Sequence, residues 1–133
     1  MSSEILLPPV LTLPEGLVGM PDVHELDVLP VAGGAFVELV VRAEPGLGWL
    51  AAAADDVRPG MTGALVASGR IGADEAVVVL LASHGEPAVV TANLAGPIAV
   101  GPTGFARQLV LEDPGYELRA RLGHLAPAPA SND

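Results

Sequence analysis

The amino-acid sequence predicts an all-β fold: a compact antiparallel β-barrel-like domain with at most one short helix. Three observations lead there. Glycine and proline, 16 and 13 of the 133 residues, recur at short intervals and leave apolar runs of about strand length between them. The run "VVVLLAS" at 77–83 has no polar alternation, so both of its faces are expected to be covered, as in a closed barrel wall with a segment lying over it. The number of such runs suits a barrel or a sandwich.

Taken in order, strands are expected at Leu6–Leu13, Glu25–Pro30, Ala35–Arg42 and Leu47–Ala53, each set off by turn-forming residues. "LGWLAAAADD" at 47–56 is rich in alanine, the best helix former, but the flanking Gly46 and Gly48 leave strand and helix both open there. A short helix fits Thr62–Arg70, with Thr62 as its N-cap and Gly72 as its stop. Ala76–Ala82 follows, with the turn "IGAD" before it and "HGEP" after it. The next strand, Val89–Val100, is interrupted at Gly96-Pro97. Proline gives no N–H to a ladder, so pairing there must bend, bulge or stop. Arg107–Leu111 and Tyr116–Arg121 complete the set. One domain over 1–125 is expected, followed by an Ala/Pro tail, "APAPASND" at 126–133, that favours extended conformations and disorder.

Composition excludes several functions. Sixteen acids face six basic residues, all of them arginine, for a formal charge of −10. A field of that sign opposes direct contact with nucleic acid. Residues 1–86 hold 12 acids and 3 arginines, and 87–133 hold 4 acids and 3 arginines, so the first part carries most of the charge. The bland reading is solubility; the functional one is docking on a basic partner. There is no cysteine, so thiolate catalysis and disulfides are absent. "MSSEILLPPV" lacks the basic start of a signal peptide, and the longest apolar run, at 76–82, is far short of the roughly 20 residues of a membrane helix. A soluble cytoplasmic protein, with no membrane and no cofactor, is expected.

Chemistry-bearing residues are sparse. His24, His84 and His124 have no metal-ligand spacing, and Asp55-Asp56, Asp74-Glu75 and Glu112-Asp113 sit near glycine or proline, where acids decorate turns. Ser68, in "VASGR", lacks the preceding glycine of a nucleophile elbow, and no phosphate-binding glycine motif occurs. A small hydrolase built on Ser68, His84 and the acids is the enzymatic alternative. Phe36 is read as core, and Trp49 as core or, alternatively, as an interface anchor.

"TANLAGPIAV" at 91–100, the loop "GPTGF", "ARQLVLED" and "PGYELRARL" together resemble the C-terminal half of the FliW family of flagellar assembly factors. That family reads approximately T-x-N-L-x-x-P-I-x-I, a loop, G-x-Q-x-x-L, and a tyrosine before a last strand; Asn93, Leu94, Pro97, Ile98, Gln108 and Tyr116 fall in that order. "LPEGLVGMPDVHELDVLPV" at 13–31 is similar to the family's opening, with Met20 where it has phenylalanine. The resemblance implies a non-catalytic β-barrel that binds flagellin and antagonises CsrA, a small basic repressor of flagellin translation, by exchanging partners. It makes Asn93, Pro97, Ile98, Gln108 and Tyr116 candidate partner-binding residues. For Asn93 and Pro97 the competing expectation is structural: a hydrogen bond to local backbone, and a break in pairing at the barrel rim. The family's aromatic segment, similar to F-F-P-D-Y, corresponds here to "ADDVRPGM" at 54–61, which suggests as alternative a divergent member that keeps one partner.

Overall fold

A computed structural model describes residues 7–31, 33–84 and 89–122; the tail at 126–133 and His124 lie outside them. In chain order the strands are β1 Val10–Thr12, β2 Glu25–Pro30, β3 Phe36–Val41, β4 Gly48–Ala53, β5 Ala76–His84, β6 Val89–Ala92, β7 Ile98–Val100, β8 Ala106–Gln108 and β9 Ala120–Arg121. β1 to β5 form an antiparallel meander. β5 then pairs with β7 through Ala76–Val78, and β7 pairs with β8. The chain just before β8 returns to β1: Phe105 bridges Thr12 in parallel, and the Thr12 amide donates to the Gly104 carbonyl at 2.8 Å. The sheet thereby becomes a nearly closed barrel. Gly104 permits the seam, because its φ is +98° and a Cβ there would stand 2.7 Å from the Val10 carbonyl oxygen.

Two cores lie on either side of the wall. Inside, Leu11, Leu26, Leu39, Val78, Ile98 and Val100 fill the barrel. Outside, Val77, Val79 and Leu81 of β5 meet Leu94, Leu111 and the helical residues Val57, Met61 and Leu65. This is why β5 reads as an unbroken apolar run: odd positions serve one core and even positions the other. Each fully buried leucine contributes about 1.5–3 kcal/mol relative to an exposed one.

The covering layer contains two short helices, α1 Ala54–Val57 and α2 Met61–Ala67, one more than expected. The alanine stretch divides between both of its readings: Gly48–Ala53 is strand, and Ala54 begins the single turn of α1. Ala51 and Ala52 are small enough to be fully buried, one in each core. Nor is Thr62 the cap of α2. Gly60, at φ 84°, takes that place, and Asp55 Oδ1 accepts the Thr62 amide at 2.7 Å, supplying from the preceding helix the acceptor that a glycine cap lacks. α2 ends earlier than Gly72, at Ser68, with Gly69 in the left-handed region.

The C-terminal strands are shorter than expected. β9 has two residues, and Tyr116 lies before it in a turn whose amide donates to the Asp113 carbonyl. Beyond β8 the amides of Leu109 and Leu111 still find acceptors, the carbonyls of Pro97 and Ala95, both at 2.8 Å, but in no regular ladder.

Candidate functional site

β6 and β7 are two halves of one strand along the same edge of β5. β6 pairs down to Leu81↔Ala92, the Asn93 amide donates to Leu80, and β7 resumes at Val78↔Ile98. Residues 94–97 loop out between, opposite Val79 alone. The excursion is a large bulge placed where the proline falls. It has a packing role as well: Leu94 turns into the outer core and is 1% exposed, and its amide donates to Glu117, tying the bulge to the C-terminal segment.

Side chains hold the bulge in shape. Asn93 Oδ1 accepts the Gly96 amide at 2.9 Å, the local backbone bond expected of it. Gln108, opposite Ile98 on β8, donates from Nε2 to the Gly96 carbonyl at 2.8 Å, and its Oε1 accepts the Val18 amide at 2.8 Å. One amide group therefore joins β8, the bulge and the Leu17–Met20 turn. A Cβ on Gly96 would lie 2.8 Å from Gln108 Nε2 and 2.9 Å from Asn93 Nδ2, so glycine is the residue that admits both.

The structure thus gathers four of the five candidates, Asn93, Pro97, Ile98 and Gln108, around the bulge. Pro97 and Ile98 are fully buried, so their side chains shape the rim and do not face solvent. What this rim exposes is apolar: Val18, next to Gln108 through its amide, and Val110, two residues beyond it, are 64% and 66% accessible. Neither was singled out from the sequence, because a lone valine carries no signal until the fold shows it wet.

Tyr116 stands apart, packed against the outer core with the Arg58 guanidinium 5.8 Å from its ring centre. Arg58 also donates to the Gly115 carbonyl.

No catalytic arrangement forms among the described residues. Ser68 Oγ donates to the Leu65 carbonyl at 3.1 Å as part of the helix end, His24 Nδ1 lies 2.9 Å from the Leu13 carbonyl oxygen, and no group of three or more possible metal ligands occurs. A shallow cleft of about 250 Å³ beside the barrel seam is lined by Pro14, Glu15, Glu75, Phe105, Ala106 and Arg107. Two acids expected to be merely solvated are paired: Glu75 with Arg107 at 3.0 Å and Asp113 with Arg70 at 2.8 Å. Their partners are 32 and 43 residues distant, which no local pattern reveals. No helix among the described residues is long and apolar enough to cross a membrane.

Comparison with known proteins agrees with this architecture. The family described as FliW protein matches residues 2–122. The flagellar assembly factor FliW of Geotalea uraniireducens (strain Rf4) is 34% identical over 119 residues, covering 83% of this chain and 72% of that protein. The crystal structure of a flagellar assembly factor FliW superposes with a TM-score of 0.69 at 21% identity, over 90% of this chain and 89% of that one.

Proposed function

The chain belongs to the FliW family of flagellar assembly factors, and on that premise we propose that it is a non-catalytic cytoplasmic protein that binds flagellin and the translational repressor CsrA in exchange for one another. Unexported flagellin takes up the protein and leaves CsrA free to repress flagellin translation; secretion of flagellin reverses the order. The family match over residues 2–122 carries this reading. The formal charge of −10 supports it, since a negative protein is steered toward a basic repressor and disfavours RNA beside it. The switch needs only that each partner weaken the other, through shared surface or through coupled sites.

Titration calorimetry against flagellin and against CsrA from the same host, each alone and then with the other partner present, tests the proposal. Binding to both, with each lowering the affinity for the other, is the expected result; independent binding of the two sinks the switch. A second reading, a member that keeps one partner, is favoured by "ADDVRPGM" at 54–61, which forms α1 and the start of α2 and holds no aromatic residue where the resemblance implies an aromatic segment. Binding of one partner alone selects it.

A further inference from the structure

The outer surface of the barrel is covered unevenly. α1 packs on β4 and β5, and the outer core lies beneath both helices. On the outer face of β2, β3 and the middle of β4, side chains remain open to solvent. Inward positions on these strands are settled: Leu26, Val37, Leu39, Val41 and Ala51 belong to the barrel interior. Alternation therefore turns Leu29, Glu38 and Leu50 outward. The register places these three side by side, Leu29↔Glu38↔Leu50, in one row across three strands.

The row is chemically unusual. Leu29 and Leu50 are 47% and 41% exposed, and two strand spacings put them roughly 10 Å apart. The Glu38 carboxylate stands between them and makes no hydrogen bond or ion pair among the described residues. Half-buried Phe36 and Val40 extend the apolar surface along β3 on the same face. Arg42, just beyond the end of β3, does not neutralise Glu38, because Asp27 Oδ1 takes both its Nε and its Nη2, at 3.1 and 2.8 Å.

We propose that the Leu29–Glu38–Leu50 row is a docking surface for a basic protein partner, one that presents an arginine or lysine to Glu38 between two apolar contacts. Charge decides the occupant. Any partner that covers the leucines also strips water from Glu38. A neutral or acidic surface would then bury an unpaired carboxylate, whereas a cation gains an ion pair that strengthens as water leaves. A second copy of this chain is disfavoured for the same reason, since a two-fold contact centred on the row brings one Glu38 against the other. The inference rests on the partner reading above and narrows it: of the two partners, CsrA is the basic one, and this face is assigned to it.

The test is calorimetry of the full chain against CsrA, comparing wild type with Glu38→Gln, with Leu29→Ser/Leu50→Ser, and with Glu112→Gln, which changes net charge equally at an exposed acid elsewhere. Glu38→Gln is expected to weaken binding about fivefold and the double leucine variant at least about tenfold, with Glu112→Gln within about twofold of wild type. Should the leucine variant fail to fold, the nearly isosteric Glu38→Gln still decides. Wild-type binding to CsrA that none of the row variants weakens overturns the surface assignment and leaves the functional reading standing. Wild type that binds flagellin but not CsrA overturns the assignment and reduces the function to one partner, and binding to neither overturns both.

Discussion

Gln108 shows how much one side chain can hold when its amide reaches two chain segments. Its Nε2 and Oε1 are spent on the Gly96 carbonyl and the Val18 amide, and replacing it with alanine leaves both backbone groups in need of water. Gln108→Ala is expected to cost about 1–3 kcal/mol in denaturant unfolding. Gly96→Ala presses on the same amide, so the two changes are not independent. A double-mutant cycle should give a coupling of about 0.5–3 kcal/mol, with Gly96→Ala milder once Gln108 is gone; strict additivity would mean that Gln108 does not crowd Gly96. The sequence motif marked Asn93, Pro97 and Gln108 as candidates for partner contact, and the fold brings them together around Gly96. It did not reveal that Pro97 and Ile98 would be buried, because that follows from both faces of β7 being covered, one by each core.

Among elements, the bulge between β6 and β7 does the most to link parts of the protein. A proline in the middle of an apolar run forces the ladder to break, and that much was legible from "TANLAGPIAV". The side to which the looped-out residues turn was not legible. Leu94 enters the outer core beside Leu111 and Val79, so the excursion fixes the covering layer to the barrel. Leu94→Ala is expected to lower stability by about 2–5 kcal/mol, read as a shift in the midpoint of chemical unfolding. A loss below about 1 kcal/mol would mark the bulge as a loosely attached loop. α1 is the counterexample to local reading. Its four residues are too few to persist alone, and they are helical because Ala54 and Val57 are buried against the outer core.

At the scale of the molecule, charge is unevenly used. Three ion pairs form among the described residues, and all six of their side chains retain some solvent exposure, so they contribute little to stability. Exposed acids that pair with no cation among the described residues, such as Glu15, Glu38 and Glu112, are left to set the outward field. If that field steers CsrA, raising salt from about 50 to about 500 mM should slow association at least about tenfold while changing dissociation much less. Stopped-flow or surface-based kinetics reads the two rates separately, and a salt-independent association rate would remove the electrostatic argument.

The sequence by itself determined the fold class, most strand positions, the break at Gly96-Pro97 and the family, because glycine, proline and apolar periodicity act through the backbone over a few residues. Only the tertiary structure decided how the barrel closes through Gly104 against β1, which acids find arginines, and that Leu29, Glu38 and Leu50 share one row. Those facts depend on register between segments distant in the chain. Register is chosen by burying the inner faces of all strands together, a condition that no single stretch of sequence contains.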